Sequence, residues 1–436
     1  MSSSVKLERT TFQVSRATEY FTEKELQRQI GRGKAWWPAA LLKELVDNGL
    51  DACEVGNIAP EIEVEVGDDF FTVRDNGPGL AAAVIEGSLD FLQRVSDKVL
   101  YVSPTRGQLG NALKVLWAAP YVAHGAGEVV IEAGGQRHTV EVGLDEVAQR
   151  PEVRHGVVDD ASVKNGTSVR VTWPGSGCCS MGEAEDDDFY ENPPTARELV
   201  EGYAAFNPHA TFRFSKLTFE ATDPDFYKWR ANEPTSAHWY TPETLRSLIA
   251  GYIAREREGA RARTVREFVA EFRGLSSTVK QKQVTEGFSR TRLADLVEDG
   301  RFDEGAVGQL LARMQELSRP VKPAALGVIG QKHLAAWMVA HAGVALDSVE
   351  YGKKQGEQDG LPFVIEFAVG VRQDDNAGRR VLCGLNWAPA LGTPVAELTS
   401  LLQEARVDPH DPVTMVLHIA RPRFEFTDHG KGKVAL

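Results

Sequence analysis

The sequence is poor in cysteine, has no long apolar run and carries no excess of positive charge. Its four cysteines (Cys53, Cys178, Cys179 and Cys383) lack metal-ligand spacing, so we expect reduced thiols and a cytoplasmic protein. No apolar run approaches the ~18 residues of a membrane span, so no membrane partner is expected. The 49 Lys and Arg against 62 Asp and Glu give a net charge of −13. That balance excludes a protein that coats nucleic acid by bulk charge, although a local basic patch remains compatible with it.

The remaining composition is that of a globular protein with a sizeable core. Apolar types make up 42% of the 436 residues and charged types 25%, and a chain of this length predicts about three domains. A helix is predicted over 35–54 and antiparallel strands over 61–66 and 70–75, with further strands over 128–133, 138–143 and 168–173. A helix that precedes an antiparallel sheet indicates an α+β sandwich for about the first 180 residues.

The rest of the chain divides by composition. Residues 175–194 combine glycine, serine, acids and paired prolines, which is typical of a solvated linker. A helix and a strand follow over 195–217. Residues 240–320 have an almost wholly helical pattern, including TPETLRSLIAGYIA, TVREFVAEF, TRLADLV and GAVGQLLARMQEL. Residues 325–436 return to mixed helices and strands.

Three polar residues share one side of the first predicted helix. Glu44, Asn48 and Asp51 stand at i, i+4 and i+7, which places them within about 60° of one another. A carboxylate one turn before an amide suits a nucleotide site, because the amide oxygen can bind Mg²⁺ and the carboxylate can align a water for attack on phosphorus. The alternative is the polar solvent face of an amphipathic helix.

Two glycine-containing turns adjoin predicted strands. Asp75 ends a strand and is followed by Asn76-Gly77-Pro78-Gly79. An aspartate there can accept a hydrogen bond from an exocyclic amine, while Gly77 and Gly79 let a flat base approach the backbone. Asn165-Gly166-Thr167 begins another strand, where the Thr167 hydroxyl could support the aspartate. Each segment taken alone is also a common turn.

A third glycine-containing loop opens a predicted helix. The segment reads TRGQLGNALK from Thr105 to Lys114 and continues into the helical VLWAA. Such a loop directs free backbone N–H groups and the positive end of the helix dipole at phosphates. Its candidate contacts are Arg106, Gly107, Gln108, Leu109, Gly110, Asn111, Ala112 and Lys114.

In this order and spacing, the segments ELVDNGLDA, DNGPG, RGQLGNALK and GT resemble the ATP-binding fold of the GHKL superfamily, whose members include gyrase, Hsp90, MutL and histidine kinases. The resemblance implies a Bergerat α/β sandwich that takes ATP and Mg²⁺. Glu44 would be the general base, Asn48 the Mg²⁺ ligand, and Asp75 the adenine reader supported by Thr167. The loop from Gly107 to Gly110 would be the phosphate lid. One departure is Ala112, which stands where such lids usually have their last glycine.

The rest of the chain resembles the B subunit of type IIB DNA topoisomerase (topoisomerase VI), in segments such as PTARELVEGYAAFNPHATFRF, SRPVKPAALGVIGQKHL and VLHIARPRFEFTDHGKGKVAL. The implied organisation has an N-terminal arm (1–34), an ATP-binding domain (35–220), a helix–two-turn–helix-like domain (221–322) and a transducer domain of ribosomal-S5-like type (323–436). Lys431 aligns with the transducer lysine that contacts the terminal phosphate, and Lys433 is the second choice. A flexible basic C-terminus is the alternative for both lysines.

The predicted helical insert reverses the charge of the chain. Ten Lys and Arg and five acids lie between residues 251 and 292, an excess of five positive charges that suits contact with a phosphate backbone. Several of the arginines alternate with glutamates, so a salt-bridged solvent face is nearly as good an interpretation.

The resemblance implies an ATP-gated clamp. Two protomers would exchange N-terminal arms (about 5–33) on binding ATP and close around double-stranded DNA. No tyrosine nucleophile can be argued, so strand cleavage would need a separate A-type (Toprim) subunit. In the family a long helix after the switch lysine docks that subunit, and this chain ends at Leu436. The competing hypothesis is a stand-alone ATP-switched protein that binds DNA or a partner, in genome maintenance or phage defence, without strand passage. A chaperone-like ATPase is a weaker third option.

Overall fold

A computed structural model describes residues 16–91, 100–106, 112–145, 147–148, 150–159, 163–175, 192–288, 291–374, 378–395, 398–404 and 406–424. The N-terminal part is a sheet covered by helices. The helices are α1 (Glu23–Ile30), α2 (Trp37–Val55), α3 (Ala82–Ser88), α4 (Ala112–His124) and α5 (Ala196–Phe206). The strands are β1 (Glu61–Gly67), β2 (Phe70–Asp75), β3 (Glu128–Ala133), β4 (Gln136–Asp145), β5 (Arg150–Asp159), β6 (Thr167–Thr172), β7 (Thr211–Phe214) and β8 (Leu217–Phe219).

The eight strands form one sheet in the order β5-β4-β3-β6-β2-β1-β7-β8. β1 and β7 pair in parallel, and the other neighbouring strands pair antiparallel. In β1, Ile62 and Val64 are buried while Glu63 and Glu65 are exposed, the alternation of a strand with one face on a core. This arrangement confirms the predicted α+β class and the predicted antiparallel pair β1–β2.

Helix α2 lies at the centre of this part of the molecule. Pro38 stands in its first turn, where the missing N–H costs no helical hydrogen bond. Its buried residues include Leu41, Leu42, Leu45 and Val46, the apolar side predicted from the sequence. Because α2 packs against β2 and α5, its polar side is held in a fixed position relative to the sheet.

The described part of the predicted N-terminal arm packs on its own chain. Residues 16–21 form a 3₁₀ helix and α1 follows. The Phe21 ring lies 5.0 Å from that of Phe91 and 5.8 Å from that of Tyr121 in α4. The Lys34 ammonium donates to the Ala123 carbonyl at 2.7 Å. Residues 1–15 of the predicted arm lie outside the described residues.

The middle part of the chain is mainly helical. It contains α6 (Pro242–Arg257), α7 (Val265–Ala270), α8 (Thr278–Val284), the two-residue strands β9 (Val297–Glu298) and β10 (Arg301–Phe302), and α9 (Glu304–Leu317). The prediction of a helix over TRLADLV was wrong, because only a 3₁₀ turn forms over Leu293–Leu296. The Asp295 carboxylate accepts from the N–H groups of Thr291 and Arg292, and the chain then turns back into the β9–β10 hairpin.

The C-terminal part contains α10 (Gln331–Ala342), β11 (Glu350–Gln358), β12 (Leu361–Val371), β13 (Arg380–Leu385), β14 (Ala388–Pro389), α11 (Leu398–Glu404) and β15 (Val413–Ala420). Its sheet has the order β11-β12-β15-β13-β14, and β13 and β15 pair in parallel. One apolar core runs through all three parts, from Phe21 to Ala420. None of the described helices is long and apolar enough to cross a membrane.

Candidate functional site

Three segments that are distant in the sequence meet at one end of the large sheet. Asp75, the last residue of β2, stands opposite Thr167 at the start of β6. Helix α2 lies against the same point, since a Cβ added to Gly49 would be 3.1 Å from the Asp75 Cβ. The fold therefore brings α2, the DNGPG turn and the GT turn together at the end of the sheet, with Gly49 as the point of closest approach on the helix.

The Asp75 carboxylate is buried and held by its neighbours. Its Oδ1 accepts from the Gly77 N–H at 2.8 Å, and the Thr167 hydroxyl also hydrogen-bonds it. Thr167 Oγ1 accepts in turn from the Leu80 N–H at 3.1 Å, which ties the turn to β6. Burial raises the pKa of Asp75 above its ordinary value, and the hydrogen bonds from Gly77 and Thr167 oppose that rise. The result is a carboxylate of fixed orientation where the DNGPG turn and the GT turn meet.

Glycine is required where these two turns approach each other. Gly166 has φ +79, and a Cβ there would lie 1.8 Å from the Asp75 carbonyl oxygen. Gly79 has φ +88, and a Cβ there would lie 3.2 Å from the Gly166 carbonyl oxygen. Because of the positive φ and these close approaches, any residue other than glycine would be strained at either position. The backbone around Asp75 is therefore held in close contact with the GT turn.

Helix α2 also carries two of the predicted residues, Glu44 and Asn48. Glu44 is half-buried and Asn48, one turn later, is exposed. Within the described ranges no group of three His, Cys, Asp or Glu could hold a metal by itself. An exposed amide oxygen suits Mg²⁺ only where phosphate oxygens and waters supply the other ligands, so the donor set fits a metal that arrives with a nucleotide.

Asp51 and Arg106 were both predicted as nucleotide contacts, but the structure pairs them with each other in the interior. Arg106 is 2% exposed. Its Nη1 donates to Asp51 Oδ1 at 2.9 Å, and its two terminal nitrogens bind the Glu54 carboxylate at 3.1 and 3.0 Å. Nη2 also donates to the Asn207 side-chain oxygen. Arg106 thus holds the chain just before the predicted phosphate loop by buried contacts with α2 and Asn207.

The other predicted loop residues are only partly described. Gly107, Gln108, Leu109, Gly110 and Asn111 lie outside the described residues, as do Lys431 and Lys433. Ala112 is the first residue of α4, so the loop does open a helix, as predicted. Lys114 is 3% exposed, and its ammonium lies 5.9 Å from the Tyr20 ring centroid. Burial lowers the pKa of Lys114.

Sequence reasoning missed the buried groups around Arg106, namely its partners Glu54 and Asn207 and the lysine that pairs with Glu54, Lys228. Glu54, Asn207 and Lys228 come from different parts of the chain, and all are buried. Glu54 follows Asp51 by three residues and so lies on the same side of α2, which is the one signal available in the sequence. No local pattern points to Asn207 or Lys228.

The basic insert is partly neutralised by its own glutamates. Arg261 pairs with Glu267, and Arg263 pairs with Glu271. Arg273 approaches Glu233 at 3.5 Å. The salt-bridged face predicted as an alternative therefore exists. Exposed cations also remain on this part of the chain, among them Arg255, Arg257, Arg266, Lys282 and Arg292.

Known proteins resemble this chain in sequence, one of them over most of its length and the others over less than half of it. It is 22% identical over 426 residues to the B subunit of type 2 DNA topoisomerase 6 from Archaeoglobus fulgidus, a match that covers 91% of this chain and 66% of that protein. The protein of the same name from Natronomonas pharaonis is 27% identical over 209 residues, covering 44% of this chain and 23% of that protein. In Methanosarcina acetivorans it is 30% identical over 144 residues, 30% of this chain and 22% of that protein. The chain thus spans less than two thirds of the length of these relatives. No family model matches it.

Two solved structures also overlap with this one, and both come from members of the superfamily that the motifs resemble. The B subunit of DNA gyrase from Myxococcus xanthus has a TM-score of 0.37 and 12% identity, covering 97% of this chain and 88% of that chain. The ATPase domain of MutL from Aquifex aeolicus has a TM-score of 0.33 and 14% identity, covering 90% and 92%. Scores of this size are too low to support a functional conclusion, which rests instead on the sequence matches and the site geometry.

Proposed function

We propose that this chain, which resembles the B subunit of type 2 DNA topoisomerase 6 over 91% of its length, binds and hydrolyses ATP and acts as a nucleotide-gated clamp. The observation that carries the proposal is the meeting of Asp75, Thr167 and helix α2, which bears Glu44 and Asn48, at one end of the sheet. A buried carboxylate beside glycine-containing turns is suited to the edge and face of a purine.

Each residue has a defined part in this proposal. Asp75 accepts a hydrogen bond from the exocyclic amine of adenine, and Thr167 and the Gly77 N–H keep its carboxylate oriented. Glu44 aligns the attacking water, and Asn48 contributes an amide oxygen to bound Mg²⁺. The metal supplies charge neutralisation at the phosphates. The N-terminus of α4 and the loop before it would bind the phosphates, and Lys431, which aligns with the family's transducer lysine, would contact the terminal one.

The clamp is the larger part of the proposal. Nucleotide binding would join two protomers, and hydrolysis would release Lys431 and let them separate. The exposed arginines of the helical part would contact the backbone of double-stranded DNA without reading its sequence. Cleavage of DNA would come from a separate A-type, Toprim-containing subunit. We also propose a cytoplasmic location, because the few cysteines of the sequence are expected to be reduced thiols.

A second candidate is a stand-alone ATP-switched protein that binds DNA or another partner. Ala112 favours it, because a methyl group where the lid usually has glycine restricts closure and slows turnover. Relaxation of supercoiled DNA in the presence of an A-type subunit would distinguish the two. ATP-dependent relaxation supports the topoisomerase, and ATP hydrolysis without relaxation supports the switch.

The nucleotide site itself can be tested by calorimetric titration of a non-hydrolysable ATP analogue with Mg²⁺, followed by phosphate release from ATP. We expect saturable binding and slow hydrolysis by the parent protein, and no detectable binding by Asp75→Ala. Thr195→Ser is a matched control, because it lies outside the site and keeps its hydroxyl. Equal binding by the parent and Asp75→Ala would contradict the assignment.

A further inference from the structure

A buried carboxylate at the end of α2 joins parts of the chain that the proposed nucleotide chemistry does not use. Glu54 receives the Arg106 guanidinium at 3.0 and 3.1 Å and the Lys228 ammonium at 2.6 Å. His209 Nε2 lies 3.0 Å from Glu54 Oε1. The side chains of Glu54 and Lys228 are each 4% exposed. Water therefore contributes little to this cluster, which consists of Glu54, Asp51, Arg106, His209 and Lys228.

The charges within the cluster balance. Burial opposes the charged form of Glu54, but Arg106 and Lys228 outweigh it and hold the pKa of that carboxyl well below its usual value. Burial lowers the pKa of His209, so the imidazole is neutral at physiological pH. Two cations and the carboxylates of Asp51 and Glu54 remain. Removing one cation leaves a buried negative charge uncompensated, which is far more costly than losing a surface pair.

Lys228 also contacts the C-terminal part of the molecule. Its ammonium lies 4.8 Å from the Trp387 ring centroid, a cation–π distance. Gly327 has φ +123, and a Cβ there would approach both the Lys228 Cβ and the Trp387 ring at 3.0 Å. The lysine is thus enclosed between α2 and the turn that joins β13 to β14.

The same turn holds the stem of the phosphate loop, which we define as residues 100–106. The Asn386 side-chain amide donates to the Thr105 carbonyl at 3.4 Å. The Asn207 amide donates to the Trp387 carbonyl at 2.8 Å, while the Asn207 oxygen accepts from Arg106. The last two residues of the stem are therefore fixed both to α2 and to the C-terminal part.

We propose that Lys228 is a positioning residue for ATP hydrolysis. Its side chain fixes the stem of the phosphate loop relative to α2 and to the Trp387 turn. This inference rests on the proposed function. Glu44 and Asn48 stand on α2, and the loop begins one residue after Arg106. A shift between α2 and the stem would therefore move the phosphates relative to the water and the metal, and misplacement of about 1 Å can cost ~100-fold in rate.

The test compares Lys228→Met with Arg380→Met. Arg380 is a matched control, because it too is a cation that pairs with a glutamate and lies over a tryptophan ring. It binds Glu201 of α5 at 2.6 Å and lies 5.7 Å from the Trp337 ring. It makes no described contact with the stem. We expect Lys228→Met to lower kcat about tenfold or more, with the Kd of a non-hydrolysable analogue within about threefold of the parent value. Arg380→Met should keep the parent kcat.

Equal losses in the two variants, or an unchanged kcat in Lys228→Met, would overturn the positioning role. A parent protein that binds no analogue would overturn the proposed function and this inference with it. Where the parent binds and Lys228→Met does not differ from it, only the inference fails. The melting temperature with and without analogue shows whether each variant is folded and binds nucleotide.

A pH profile separates positioning from general stability. Burial and the neighbouring Arg106 lower the pKa of Lys228 to about 8, against the opposing effect of Glu54 and Asp51. His209 also titrates in the cluster, but burial lowers its pKa, so its imidazole is already neutral in the alkaline range. Loss of the Lys228 proton breaks its pairing with Glu54, so the parent kcat should fall as pH rises through about 8.

Lys228→Arg is the second variant, for use if Lys228→Met does not fold. Its guanidinium stays charged at these pH values, so its kcat should resemble that of the parent below pH 8 and should not fall between about pH 8 and 9. The same alkaline fall in Lys228→Arg as in the parent would assign the titration to another group and contradict the proposal.

Discussion

Asp75 combines a buried carboxylate, a hydrogen bond from its own turn and a threonine from the neighbouring strand. In the proposed site its remaining acceptor capacity serves the base. Asp75→Asn keeps the shape and loses the charge, so we expect nucleotide affinity to fall by about 1.5–3 kcal/mol, the range for hydrogen bonds to charged groups. Calorimetric titration of the analogue measures this directly.

Nucleotide binding should weaken when the Asp75 carboxylate is protonated, as it does when the charge is removed by Asp75→Asn. Burial raises the pKa of Asp75, so its carboxyl takes up a proton at a higher pH than an ordinary aspartate does. Protonation removes the anionic acceptor, so affinity should decrease as pH falls, and the decrease should begin at a higher pH than it would for an ordinary aspartate. Asp75→Asn should show no such decrease, and an identical profile would assign the effect elsewhere.

Glu44 is predicted to act on the water rather than on nucleotide binding. Glu44→Gln should therefore bind the analogue as the parent does and hydrolyse ATP about 100-fold more slowly or worse. Glu44→Ala is the stricter variant. Hydrolysis at the parent rate by Glu44→Ala, with binding retained, would remove Glu44 from the mechanism.

Gly166 allows a sharp test of the close contact between the two turns. Ala at this position combines a positive φ with a Cβ 1.8 Å from the Asp75 carbonyl oxygen. Gly125 has nearly the same φ, +77, with nothing within 4 Å of an added Cβ. We expect Gly125→Ala to cost about 1 kcal/mol of unfolding free energy from backbone strain alone, and Gly166→Ala to cost ~3 kcal/mol or more. Equal costs in denaturant unfolding would show that the contact relaxes freely.

The residue scale also shows where sequence reasoning stops. Glu44, Asn48 and Asp75 could be selected because helical spacing and a strand-ending turn are local patterns. Asp51 shares the helical spacing of Glu44 and Asn48, yet it is paired with Arg106. Its partner lies 55 positions away, and only the fold decides which of several polar residues on one side of a helix meets a buried cation.

At the scale of elements, the segments with a clear period were predicted and the polar ones were not. β1, β2 and α2 follow from apolar alternation or helical spacing. β5, which reads RPEVRHGVVD, is exposed along almost its whole length and occupies an edge of the sheet. β11, EYGKKQGEQ, is also an exposed edge strand. Neither has a buried face to impose alternation, so pairing with the neighbouring strand alone determines their structure.

Helix α5 has a capping box that can be tested by itself. Thr195 Oγ1 accepts from the Glu198 N–H at 3.2 Å, and the Glu198 carboxylate accepts from the Thr195 N–H at 2.8 Å. Thr195→Ala should lower the unfolding free energy by about 1 kcal/mol. Thr195→Ser keeps the hydroxyl and should stay close to the parent in thermal unfolding. An equal loss in both variants would show that the methyl group, and not the cap, stabilises the helix.

At the scale of the whole molecule, the three parts of the chain share one apolar core and one buried charge cluster. A cation from the middle part, Lys228, and a turn of the C-terminal part both reach the end of α2. Contacts of this kind are suited to carrying a change at the proposed nucleotide site to distant surfaces, because packed elements shift as units. The sequence order implied these parts, but their joining through Glu54 follows only from the fold.

The ATP-gated clamp is tested most directly by the oligomeric mass in solution. Multi-angle light scattering would be run on the parent protein with Mg²⁺, with and without a non-hydrolysable ATP analogue, and on Asp75→Ala as a control that does not bind. We expect a monomer that becomes a dimer only with the analogue, and an Asp75→Ala variant that stays monomeric. An unchanged mass of the parent at saturating analogue would contradict the clamp and favour the stand-alone switch.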